Sequence, residues 1–420
     1  MRTSKRVTLC TFALVTLVSL GASQGGGVAS AATKAAGREE LLYLGSSYSV
    51  TAVSPATGAV RFQQLGAMPT RDWSRLYTAD FYGGTETKLN TLDARTGKVR
   101  STRDIEGNLV VRAVSDDGAS IALMPPGRAT DPYHPQSRTQ TSLVIARRGQ
   151  AKPTRLTVQG NIEPEAFSRS QRSLFVIEFT PPEAPDRYRV ARLDLASGTL
   201  HAVASDEDEL QEPMQGTARA QAMAPDGKRL YTLYTRDATE SEPAEAFVHV
   251  LDLERERATC VDLPPEFATS DLGAVAVSPS GLQLYVVAPT VPLIAEIDTV
   301  ELVLTRTAPL PADIVANGAA RATVATAATL YLATDNQMAT IDLGTMDVVA
   351  RWRLPGVVTG VQPAADHASL YVSFVDRVLV LNPQTGSTSR EFTVPATGPI
   401  DHVAPALPPI VQEKTVRCAC

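Results

Sequence analysis

Five histidines stand at positions 134, 201, 249, 367 and 402, and no two have the H-E-x-x-H spacing that holds zinc on one helix face. His249 alternates within the apolar run Phe247-Val248-His249-Val250-Leu251, the setting of a structural histidine. The one acidic run is Ser205-Asp206-Glu207-Asp208-Glu209. Asp206 and Asp208 offer the oxygen ligands that Ca²⁺ takes, but no Gly and no distal Glu complete an EF-hand loop. A solvated acidic loop is the plainer reading, and neither a metal nor another cofactor is expected. There is no G-x-S-x-G elbow, no G-x-G-x-x-G ahead of a helix and no C-x-x-C-H haem site. These missing motifs weigh against an enzyme. The residues best suited to recognition are Tyr133, His134, Arg187, Tyr188 and Arg189, because aromatics and arginines dominate binding hot spots.

The elements that must position these residues are short strands. Residues 272–311 show the unit: strands are expected over 272–277, 282–288, 293–298 and 302–307, with turns between them. An apolar pair opens the second strand of each unit. It occurs at Leu42-Tyr43, Leu76-Tyr77, Ile121-Ala122, Leu174-Phe175, Leu230-Tyr231, Leu284-Tyr285, Leu330-Tyr331 and Leu370-Tyr371. Successive pairs lie 34 to 56 residues apart, the period of a propeller blade. A first turn precedes the pair, as in Ala224-Pro225-Asp226-Gly227 and Ser278-Pro279-Ser280-Gly281. A second follows the third strand, as in Asp93-Ala94-Arg95-Thr96-Gly97 and Asn382-Pro383-Gln384-Thr385-Gly386. Asp or Asn caps backbone amides two residues on, and Gly takes the left-handed corner. Near Tyr77 Trp73 replaces the Gly, and near Tyr331 the turn Thr326-Ala327-Ala328 lacks one.

Over residues 40 to 405 this order of turns and pairs resembles YVTN-type β-propeller repeats, related in shape to WD40 blades. The fold class expected is all-β: a propeller of four-stranded antiparallel blades, eight by the count of pairs, or seven if the region of Tyr43 or Tyr331 is irregular. The chain enters at a second strand, and Pro399-Ile400-Asp401-His402-Val403-Ala404-Pro405 resembles the first strand at 273–279. The C-terminal strand is therefore expected to complete the first blade and close the ring, which removes open sheet edges.

Such a ring sends the first and third turns of each blade to one face, and the second-to-third and blade-to-blade loops to the other. The long segments 125–140, 180–189, 205–217 and 236–245 all belong to the second kind, over blades 3 to 5. Long loops on a rigid scaffold carry binding residues. The function expected is a non-catalytic scaffold that binds a protein or cell-envelope ligand through this face. The resemblance also admits an alternative, since propellers of this kind include lactonases and cofactor-dependent dehydrogenases with chemistry at the central channel. Asp116, Glu165 and Asp271, near the ends of first strands, would be its acidic groups.

Arg2, Lys5 and Arg6, the apolar run from Val7 to Leu20 and Ala29-Ser30-Ala31 read as a signal peptide over 1–31. A short linker at 32–40 leads to the propeller at 41–405, and a Pro-rich tail with Cys-Ala-Cys fills 406–420. The expected location is outside the cytoplasm, secreted or at the envelope, with no membrane span after the signal. The formal charge of -6 gives no basic stripe for nucleic acid. Beyond the signal three cysteines stand, Cys260, Cys418 and Cys420, with Cys260 expected on an outer strand. Trp73 and Trp352 are expected to pack blades together.

Overall fold

The computed structural model describes residues 40–46, 49–127, 137–185, 187–204, 216–238, 243–270, 272–318, 320–394, 400 and 402–405. The expected signal peptide, most of the linker and the tail with Cys418 and Cys420 lie outside the described residues. Thirty-two strands form eight antiparallel sheets of four. Seven blades are contiguous in sequence, at 68–106, 110–159, 161–202, 217–262, 274–309, 320–353 and 360–393 (blades 2 to 8). Blade 1 joins His402–Pro405 to Leu42–Ser46, Ser49–Val53 and Val60–Leu65, with Tyr43 opposite Ala404 and Leu44 opposite Val403. The ring closes as expected, with eight blades.

Each sheet is sandwiched between two others, and this explains the apolar runs. In Gln283–Ala288, Leu284 and Val286 face blade 5, against Leu233, Val248 and Val261. Tyr285 and Val287 face blade 7, against Leu330 and Leu332. Both faces of a second strand are buried, so its sequence is continuously apolar rather than alternating. The outermost strand Val303–Pro309 has one wet face, and its exposure alternates residue by residue.

The second turns are capped as expected. Asp93, Asp194, Asp298 and Asn382 each accept two backbone amides through Oδ1. Trp73 adopts the glycine conformation of the first turn, with φ 50°, and stacks on Tyr43 at 4.5 Å between centroids. The stacking offsets the left-handed strain. Trp352 of blade 7 lies under Gly386 of blade 8, where a Cβ would come within 2.2 Å of the indole, so close approach and φ 68° both require glycine. Both tryptophans pack blades together.

The anchor tyrosines tie neighbouring blades. Tyr43 Oη donates to Ala94 O at 2.8 Å, and Tyr77 Oη to Gly118 O at 2.6 Å, each reaching the next blade. Tyr43→Phe should cost about 1 kcal/mol, because the buried Ala94 carbonyl loses its partner. Urea denaturation measures this, and an unchanged midpoint would show the bond contributes nothing.

Candidate functional site

The innermost strands line the axis: Val110–Val114 in blade 3, Asn161–Phe167 in blade 4, Thr217–Met223 in blade 5, Ala274–Val277 in blade 6, Ala320–Thr326 in blade 7 and Gly360–Pro363 in blade 8. They converge, so most positions between blades are small: Ala220, Ala274, Ala276, Ala322 and Gly360. Longer polar side chains alternate with them and turn toward the channel. In three consecutive blades a β-bulge interrupts this strand, between Val111 and Ala113, Pro164 and Ala166, and Ala218 and Ala220. The skipped residues are Arg112, Glu165 and Arg219. A bulge re-aims a side chain, a frequent device beside active sites.

A cavity of about 450 Å³ opens along the inner strands of blades 5 to 8 and blade 1. Its polar lining includes Arg219, Gln221, Arg321, Thr323 and Gln362, with no carboxylate among the described residues. Arg321 donates from Nε to Thr359 O at 3.0 Å and from Nη1 to Ala320 O at 2.7 Å, and has no carboxylate partner among the described residues. Arg219 Nε donates to Thr235 Oγ1 at 2.6 Å. Gln221 Nε2 donates to Thr232 Oγ1 and to Glu165 Oε1, both at 3.1 Å.

Glu165 therefore stands behind Gln221 at the cavity edge. The residue as a whole is partly buried, but Oε2 is sealed from solvent and has no hydrogen-bond partner. Burial raises its pKa to about 7, against a smaller opposing effect of the Gln221 amide. Behind it lies an aromatic wall. Tyr188 and Tyr234 have ring centroids 5.7 Å apart, Phe247 stacks on Tyr234 at 5.5 Å, and His249 meets Tyr234 edge-on at 6.3 Å. Burial lowers the His249 pKa to about 4, which keeps it neutral as a structural histidine, and Cys260 sits opposite it on the outermost strand of blade 5. Burial likewise raises Tyr188 and Tyr234 well above the usual phenol range.

The channel mouth on the tight-turn face is bridged. Asp116 of blade 3 pairs with Arg71 of blade 2 at 3.1 Å and Arg169 of blade 4 at 2.8 Å. Arg71 Nη1 donates to Pro225 O of blade 5 at 2.5 Å. Blades 2 and 5 are three apart in the ring, so this contact spans the mouth. Asp116 thus acts in a closing ion-pair network, and Asp271 lies outside the described residues.

Of the expected contact residues, Tyr133 and His134 lie outside the described residues, as do Asp206 and Asp208. Arg187, Tyr188 and Arg189 belong to the third strand of blade 4, Arg187–Asp194, not to a loop. Arg189 Nε is held by Glu178 Oε2 at 2.7 Å. The described strand ends Met124 and Gln140, Thr180 and Arg187, Ala202 and Thr217, and Arg236 and Glu245 lie on one face, since each pair flanks a second-to-third or blade-to-blade connection. Among the described residues no three His, Cys, Asp or Glu are grouped to hold a metal, and no helix is long and apolar enough to cross a membrane. Sequence reasoning named Glu165 but missed Arg219, Gln221, Arg321 and Gln362. The signal was available: these residues lie a few positions ahead of the first turn in their blades, where the inner strand must run.

No protein-family model matches the chain, and no curated protein matches its sequence. Solved structures match its fold. One is the dihydro-heme d1 dehydrogenase NirN in complex with DHE, at 14% identity, covering 87% of this chain and 75% of that one, with a TM-score of 0.53. Another is apo AztD from Citrobacter koseri, at 13% identity, covering 87% and 98%, with a TM-score of 0.52. The expectation of a non-catalytic scaffold, and of a chain more likely not an enzyme, is corrected by the first of these: the ring is one that a dehydrogenase uses. The expectation rested on missing linear motifs. A site assembled at a propeller axis draws one or two residues from each blade and leaves no such motif. At this identity the likeness concerns architecture, and by its own strands and by these structures the chain is an eight-bladed β-propeller.

Proposed function

We propose that this protein is a propeller enzyme of the extracytoplasmic space, with its site in the central channel beside blades 5 to 8. The channel binds a small, oxygen-rich organic acid, and Glu165 exchanges a proton with it. The observation that carries this reading is the pairing of two features at one place. Arg321 lines a cavity with no carboxylate among its described residues, and a sealed carboxyl that titrates near neutrality stands one side chain away. Guanidinium and amide donors suit a carboxylate with neighbouring oxygens. A proton carrier works best with a pKa near the working pH. The dehydrogenase with the same ring lends a fold-level parallel, and fold alone does not assign a reaction. The resemblance to YVTN-type repeats and the basic, apolar segment at residues 2–20 support export.

A thermal-shift panel of small hydroxy acids, dicarboxylates and lactones tests the reading. A hit should raise the melting temperature, and Arg321→Ala should weaken its binding at least tenfold. Incubation of the hit with the protein should then yield a product by mass spectrometry. A panel with no hit, or a hit indifferent to Arg321→Ala, would overturn the proposal.

A further inference from the structure

A second cavity, about 380 Å³, lies between blades 2 and 3 toward the tight-turn face, away from the axial site. Five arginines line it: Arg75, Arg100 and Arg103 from blade 2, and Arg147 and Arg148 from the third strand and turn of blade 3. One of the five has a carboxylate partner among the described residues, Arg100, which pairs with Asp93. The other four bond to backbone carbonyls. Arg75 Nη1 and Arg148 Nη2 both donate to Asp117 O, at 3.1 and 2.5 Å. Arg103 Nη1 donates to Arg147 O at 3.3 Å, and Arg147 Nη2 to Gln171 O at 2.8 Å. These carbonyls orient the guanidiniums; among the described residues Asp72 and Asp117 act on Arg75 and Arg148 across space without forming an ion pair, and Arg103 and Arg147 have not even that. Arg103 Nη2 is sealed from solvent and has no hydrogen-bond partner among the described residues.

Several arginines elsewhere in this protein are matched to acids, as Arg189 is to Glu178 and Arg306 to Glu296. In a chain of formal charge -6, a cleft that gathers four arginines without an ion pair among the described residues is a local concentration of positive charge. Like charges gathered around one cavity repel, and an anion placed among them removes the repulsion and completes the open donors. The planar fork of a guanidinium matches two oxygens of a phosphate or sulfate. Several forks around one small cavity suit a multiply charged, tetrahedral oxyanion better than a single carboxylate.

We propose that the cleft between blades 2 and 3 is a second binding site, for a ligand carrying phosphate or sulfate ester groups. It is independent of the axial site, because none of its residues lines the channel cavity. The ligand has two sources with the same chemistry, a soluble phosphorylated metabolite or a phospholipid headgroup.

Titration calorimetry of the full-length protein with pyrophosphate, and flotation with vesicles of phosphatidylcholine and phosphatidylglycerol, distinguish them. Saturable pyrophosphate binding should weaken at least tenfold in Arg148→Glu and in Arg103→Ala, and should weaken as sodium chloride rises. Arg390→Ala, on the outer strand of blade 8, should leave it unchanged. Arg148 is exposed, so its variant tests the cleft without risk to folding. Flotation lost in Arg148→Glu would name the headgroup as the source, and titration without flotation the soluble ligand. Absence of binding in both arms, or binding unaffected by the cleft variants, overturns the site. Loss in Arg321→Ala alone would assign the anion to the channel and overturn it equally.

Discussion

Glu165→Gln should make the protein more stable at pH 8 by about 3 kcal/mol, and should leave it nearly unchanged at pH 4. The folded pKa of about 7 lies above the ordinary value of 4.5 because the carboxyl is buried. Between those two values the folded state holds a proton that the unfolded chain has released. Stability from this group is fully present below about pH 4.5, falls as pH rises, and is lost above about pH 7. Glutamine keeps the size and the contact with Gln221 but never has to ionise, so it escapes the loss. The same change removes the proton that the proposed reaction needs. Turnover should fall at least a hundredfold while ligand binding at Arg321 persists. Urea melts of both proteins from pH 4 to pH 9 read the first effect, and single-turnover assays the second. A difference in stability that does not vary with pH would refute the burial of this carboxyl.

Removing residues 395–420 should cost about 5 kcal/mol and change the state of the protein, not only its melting point. The strand His402–Pro405 is the inner strand of blade 1, and nothing else in the chain can replace it. Val403 and Ile400 are 3% exposed, packed with Leu44, Val378 and Val380. Losing two such side chains alone costs several kcal/mol. The loss also bares one edge of Leu42–Ser46 and separates blade 8 from blade 1. The truncated chain should elute as oligomers and melt early, and its channel ligand should bind more weakly. A monomer with the melting curve of the full chain would show that the ring does not depend on this closure. Val403→Ala should produce a milder loss, because the strand pairing survives.

The origins of these two predictions differ. The closing strand was legible in the sequence, because 399–405 repeats the pattern of 273–279 and the chain otherwise lacks a first strand for its first blade. Glu165 was legible only as an acid near the axis. That its Oε2 is sealed depends on how blades 4 and 5 meet. Tyr188 shows the limit most clearly. Its composition suits a surface contact, yet it lies on a strand against Tyr234 of the next blade.

The repeat of the Leu-Tyr pair, the Asp-capped turns and the alternation of the outer strands determined the strands and their order, and narrowed the blades to eight or seven. Those features act over a few residues, so local physics sets them wherever the segment lies. The bulges that skip Arg112, Glu165 and Arg219, the arginines without an ion pair and the carboxyl that holds its proton were decided by the assembled ring. Each arises where one strand or blade is forced against the next, and burial and charge there depend on neighbours that no single segment contains.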